Sequence, residues 1–134
     1  LVPGTTNQLD LSGNTIPLSP EITLSAGASY RIDLGNGGSL TPSGRLFWSD
    51  SYFVNEFNYD AGIDGRDVGR QGSYSRTDLS LTWMSRDERL SLQGFVQNLE
   101  NRAILNRSVI GGQGAIFQNY APPRIWGVKA GFNF

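Results

Sequence analysis

The stretch that decides the fold is Arg124-Ile125-Trp126-Gly127-Val128-Lys129-Ala130-Gly131-Phe132-Asn133-Phe134. From Trp126 onward every second residue (Trp126, Val128, Ala130, Phe132, Phe134) is apolar, and Gly127, Lys129, Gly131 and Asn133 lie between them. A strand sends successive side chains to opposite faces, so one face of this segment is hydrophobic and the other is polar or small. Soluble domains usually fray at their ends rather than finish on a bulky ring. A last strand of this pattern is expected in a closed barrel that meets lipid on its outside.

The same alternation recurs upstream. Ile22, Leu24, Ala26, Ala28, Tyr30, Ile32 and Leu34 form one face of a strand, and Thr23, Ser25, Gly27, Ser29, Arg31 and Asp33 form the other. Gly35-Asn36-Gly37-Gly38 then reads as a tight hairpin turn. A second strand is expected over Ser39 to Phe57, with Leu40, Leu46, Trp48, Tyr52 and Val54 on the apolar parity. Phe47 and Phe53 interrupt its polar parity. A third runs from Tyr74 to Ser85 with Leu79, Leu81 and Trp83 on one side. A fourth runs from Leu90 to Leu99, where Phe95 falls on the polar side. The connections alternate in length: short at 35–38, long at 58–73, short at 86–89 and long at 100–121. An antiparallel meander puts the short turns at one edge and the long loops at the other, which is the asymmetry of outer-membrane barrels. The first twenty residues, rich in Pro and Gly, read as a loop.

Composition supports this reading. Charged residues make up 17% of the 134 residues, whereas about 25% is usual in soluble domains. The mean hydropathy of −0.30 is too polar for a helical membrane protein, and no apolar run reaches the roughly 18 residues of a spanning helix. Strands escape that test because only alternate residues touch lipid. The chain holds no Cys and no His, which excludes disulfides, thiolate or imidazole metal sites and any triad with an imidazole base. With a net charge of −1, no nucleic-acid surface is expected. No signal-type segment stands at Leu1, so the upstream part of a longer protein is expected to be missing.

Three patches carry a family resemblance: Leu11-Ser12-Gly13-Asn14-Thr15-Ile16-Pro17-Leu18-Ser19-Pro20-Glu21 before the first strand, Val96-Gln97-Asn98-Leu99-Glu100-Asn101 closing the fourth, and Ala121-Pro122-Pro123-Arg124 leading to Gly127 and Phe134. Their order and spacing resemble the final third of TonB-dependent outer-membrane receptors from about Leu9 onward. The resemblance implies an all-β, antiparallel up-and-down meander of about five long strands, the C-terminal part of a barrel of about 22 strands. Residues 1–20 would be an extracellular loop and 21–134 strands and loops, with the plug domain absent. It further implies a transporter rather than an enzyme, in the outer membrane of a Gram-negative bacterium, importing a scarce solute such as a ferric siderophore, cobalamin or glycan. Its partners would be outer-membrane lipid, the missing plug and upstream strands, the TonB complex and the barrel-assembly machinery. No cofactor or metal is expected.

Within that frame Trp126, Val128, Ala130, Phe132 and Phe134 are the candidate assembly signal, read by pairing of an exposed strand edge. Phe57, Tyr59, Arg66, Arg70, Phe117 and Tyr120 border the long loops and are candidate ligand contacts, with packing at the loop bases as the plainer account. Asp60, Asp64 and Asp67 offer hard oxygen ligands, but their spacing is not that of a calcium loop. Arg45, Arg76, Asp78 and Lys129 are expected on the inward face, because facing lipid each Arg or Lys would cost about 2–4 kcal/mol at the midplane. The competing architectures are a soluble β-sandwich with a carbohydrate-binding face, another small outer-membrane barrel and an outer-membrane hydrolase. The last lacks an evident inward acid pair. Five strands alone cannot close, since the smallest single-chain barrels have about eight.

Overall fold

The computed structural model describes residues 10–58, 68–111 and 115–134. The strands are β1 (Thr23–Ser29), β2 (Ile32–Asp33), β3 (Ser39–Ser49), β4 (Tyr52–Phe53), β5 (Arg70–Gln71), β6 (Tyr74–Met84), β7 (Leu90–Gln97), β8 (Leu105–Ile110), β9 (Ile116–Tyr120) and β10 (Ile125–Phe132). One antiparallel sheet runs in the order β1-β3-β6-β7-β10, with β2 continuing β1 along the same side of β3. This is the expected meander. Among the described residues the sole helical feature is a 3-10 turn at Gly35–Gly37, and no helix is long and apolar enough to cross a membrane.

Register converts the alternation into two continuous surfaces. Ala28, Gly44, Leu79, Val96 and Trp126 stand in one cross-strand row. Pro42, Leu81, Gly94 and Val128 form the next, and Ile32, Leu40, Trp83, Leu92 and Ala130 the one after. No charged residue enters these rows. The opposite face carries Ser29, Ser43, Ser80, Phe95 and Gly127, then Thr41, Thr82, Gln93 and Lys129. Among the described residues no second layer covers the apolar face: Trp126 is 78% exposed and Val128 69%. A soluble sandwich would bury those rows, so that architecture is not the one adopted.

The buried hydrophobic residues Val54, Val68, Ile104 and Leu105 all lie beyond the long strands, in the segments that join them. The sheet itself is a wall rather than one side of a core. Both short turns sit at one end of it. The Arg31 guanidinium approaches the Glu88 carboxylate at 3.7 Å, and Trp83 Nε1 donates to Gly37 O at 2.9 Å. At the other end Leu105 N donates to Gln71 Oε1 at 2.6 Å, joining the two long connections.

Three details depart from the sequence expectations. The first strand is interrupted between Ser29 and Ile32. Tyr30 N donates to Pro42 O at 3.1 Å, so the nitrogen of Pro42 faces the same neighbour. Having no N–H, Pro42 cannot return the bond, and the ladder breaks there. The second strand ends at Ser49 instead of running to Phe57. Asp50 N still meets Ile22 O in register at 3.0 Å, but Asp50 Oδ1 then accepts Ser51 N at 2.7 Å, and Val54 leaves the outward row to become buried. Finally, the span 100–121, expected to be loop, contains the β8–β9 hairpin. Its Asn, Arg and Ser residues hid the Leu105, Val109, Ile116 and Phe117 that pair within it.

Candidate functional site

The inward face has a concavity of about 570 Å³ lined by Gly27, Arg45, Asp78, Gln93, Phe95 and Lys129, among others. Its charges are those expected from the sequence. Asp78 Oδ2 receives Arg76 at 3.0 Å, whereas Arg76 Nε is buried with no hydrogen-bond partner among the described residues. Lys129 Nζ lies 5.0 Å above the Phe95 ring, a cation–π arrangement. Phe95 keeps to the polar face because Gly127 leaves room for it: a Cβ at Gly127 would meet the ring at 3.0 Å. Phe47 turns inward beside Tyr74, ring centroids 5.9 Å apart. The aromatic exceptions to the alternation are thus packing partners on the inward face.

Above the wall the long connections are bonded together. Arg70 donates to Ser51 Oγ at 3.0 Å and lies 5.8 Å over the Phe53 ring. Burial, reinforced by the neighbouring Tyr74, pushes the Tyr52 phenol up to about 12. The segment before β1 is tied down as well: Leu18 N donates to Phe53 O at 2.7 Å, and Thr15 N to Asn58 Oδ1 at 2.6 Å. Where β7 ends, Asn98 and Asn101 adopt left-handed backbone at φ 54 each, a conformation Asn tolerates better than most residues. Asn98 is 3% exposed and uses its whole amide. Its Nδ2 donates to Arg102 O at 3.0 Å and Pro122 O at 3.2 Å. Its Oδ1 accepts Arg102 N at 2.9 Å. Glu100 accepts both N–H and O–H of Thr77. Burial opposes ionisation of Glu100, but these two bonds outweigh it and hold its pKa below the usual value.

The candidate ligand contacts do not all fall together. Phe57 and Arg70 belong to the connection carrying β4 and β5, whereas Phe117 and Tyr120 are on β9. Phe117 is 66% exposed, and Tyr120 Oη donates to Gln118 at 3.1 Å. Tyr59 and Arg66 lie outside the described residues, as do Asp60, Asp64 and Asp67. Trp126, Val128, Ala130 and Phe132 hold the outward parity of β10, which pairs with β7 and is otherwise an edge. Phe134 packs edge-on against Phe132 at 5.0 Å. Sequence reading did not anticipate Gln71 or the Asn98 joint. The available signal was the paired asparagines directly after a strand.

A wall with one uncharged apolar face, short turns at one end and bonded hairpins at the other is the geometry of a membrane barrel segment. Residues 3–99 match the family "TonB dependent receptor-like, beta-barrel". The chain belongs to this family. Members of the TonB-dependent receptor family are outer-membrane transporters of Gram-negative bacteria, not enzymes. No curated protein sequence matches the chain. Among solved structures, the ferric yersiniabactin uptake receptor FyuA from Yersinia pestis is similar over 92% of this chain, with a TM-score of 0.75 and 22% identity. The chain spans 18% of the length of that receptor. The family match ends before β8, and the likeness in fold extends the barrel-wall assignment through most of the remainder.

Proposed function

We propose that this chain forms the C-terminal part of the wall of a TonB-energised outer-membrane importer, closed by upstream strands and filled by a plug domain of the same protein. The short turns at 34–38 and 85–89 face the periplasm, and the β4–β5 and β8–β9 hairpins face the exterior. One observation carries this reading: the apolar rows run across all five long strands without a charge, while Arg45, Arg76 and Lys129 share the other face with Asp78. Lipid outside and a hydrated, occupied lumen inside account for both.

The cargo class is a scarce, large solute. The function of the solved neighbour, ferric yersiniabactin uptake, favours a ferric siderophore over cobalamin or a glycan. Phe57, Arg70, Phe117 and Tyr120 are the candidate contacts on the outer side, and Trp126, Val128, Ala130, Phe132 and Phe134 form the strand offered to the assembly machinery. The test is uptake of radiolabelled ferric siderophores by iron-starved cells carrying the full-length gene, with and without TonB. Accumulation that requires both the gene and TonB is expected. Entry that is equal without TonB would overturn the importer assignment.

A further inference from the structure

We propose that the β8–β9 hairpin is a fixed projection, set in place by Asn98 beneath it and Gln71 beside it, and that these two are positioning residues for the outer face of the receptor. A two-stranded ribbon is marginal by itself in water. This one has five residues in β9 and six in β8, and its Phe117 is largely exposed. Its order must come from its base.

The base is built from polar groups that bond one another. The Asn98 side chain bridges Arg102, on the way out to β8, and Pro122, on the way back from β9. Its own N–H donates to Asp78 Oδ1 at 2.9 Å, and Arg76 holds the other oxygen of that carboxylate. Asn101 repeats the closure one turn on, accepting Arg124 N at 3.0 Å, while Arg124 Nη1 donates to Leu99 O at 3.3 Å. Ala121 N donates to Ile104 O at 2.8 Å. From the side, Gln71 Oε1 takes the N–H of Leu105, the first residue of β8 and 3% exposed. Deleting the Gln71 amide strands the N–H of the buried Leu105, which is costlier than the bond itself is worth, and deleting the Asn98 amide removes three bonds that tie the outgoing strand to the returning one. Val109 and Phe117, paired near the tip, are thereby held at a set position relative to the inward charges Arg76 and Asp78. The geometry of the joint stands without the importer reading. Its use in presenting groups to a solute rests on that reading.

Amide exchange of the full-length protein in detergent micelles, followed by mass spectrometry without any solute, tests the joint. Asn98→Gly keeps the left-handed backbone and the bond to Asp78 while removing the amide. Exchange in 105–110 and 116–120 is expected to accelerate about tenfold or more, with β3 and β6 unchanged. Gln71→Ala should accelerate 105–110 in the same selective way. Gln71→Glu, which retains the accepting oxygen but gives up the Nε2 donation to Gly72 O, should exchange more slowly in 105–110 than Gln71→Ala. If Asn98→Gly fails to assemble, the Gln71 pair decides alone. Unchanged exchange in 105–120, or acceleration spread evenly over the wall, would overturn the proposal. Because no cargo is involved, failure here is distinguishable from failure of the uptake experiment.

Discussion

Gly38 closes the first short turn with φ +86, and a Cβ there would run into the Met84 carbonyl. Both the backbone conformation and the missing side chain are required, so Gly38→Ala combines strain with a clash. A loss on the order of 1–3 kcal/mol is expected from the strained backbone alone, read as a lower urea midpoint of the full-length barrel in lipid. An unchanged midpoint would show that the turn rearranges freely. Glu100 supplies a pH-dependent contact at the opposite end. Its pKa is held below the ordinary 4.5, so its bond to Thr77 contributes fully above that value and is lost as pH falls through the depressed one. Protection of the Thr77 amide should therefore be flat near neutrality and decline below about pH 4.5. Glu100→Gln, neutral throughout, should abolish that decline. Residues such as Gly38 announce themselves in sequence because a Gly-rich turn has few alternatives. Glu100 and Asn98 do not, since Glu100 bonds Thr77 23 positions away and Asn98 closes its joint on Pro122, 24 positions away.

At the level of the element, alternation was the readable signal, and it placed Leu79, Leu81 and Trp83 on the outward face of β6 correctly. A slip of one residue would reverse every side chain, so the two faces can be tested with neighbouring substitutions. Leu81→Arg puts a cation into the apolar row between Pro42 and Gly94 and is expected to cost about 2–4 kcal/mol if it lies near mid-bilayer. Thr82→Arg, one position on, points with Gln93 and Lys129 and should assemble almost normally. Heat-modifiable mobility of outer-membrane fractions reads both, and equal loss in the two variants would contradict the assigned register. What alternation could not reveal was where strands stop. The break after Ser29 arises from Pro42 on the neighbouring strand, and the inward Phe95 depends on the space at Gly127. Each is a cross-strand effect invisible within its own segment. The β8–β9 hairpin was missed for a related reason: its six- and five-residue strands are too short and polar for a period of two to stand out.

For the molecule as a whole, the decisive property is incompleteness. Both β1 and β10 are edges of the sheet, and an exposed apolar wall with two open edges is a template for association unless other strands complete it. On the proposed importer reading those edges meet other strands of the same protein, and β10 is the strand offered to the assembly machinery. β10 offers an unpaired backbone along one side, with Trp126, Val128, Ala130 and Phe132 on the face that enters lipid. Phe134 stands beyond the last ladder pair, edge-on to Phe132 and fully exposed. Such a ring contributes little to the finished wall, so its removal should leave the stability of assembled barrels nearly unchanged. If it instead serves recognition during insertion, deleting Phe134 should lower the amount of heat-modifiable barrel in the outer membrane severalfold. The surviving fraction would then keep a wild-type urea midpoint. Equal yield would remove the recognition role, and a lowered midpoint in the surviving fraction would assign Phe134 to the packing of the wall instead.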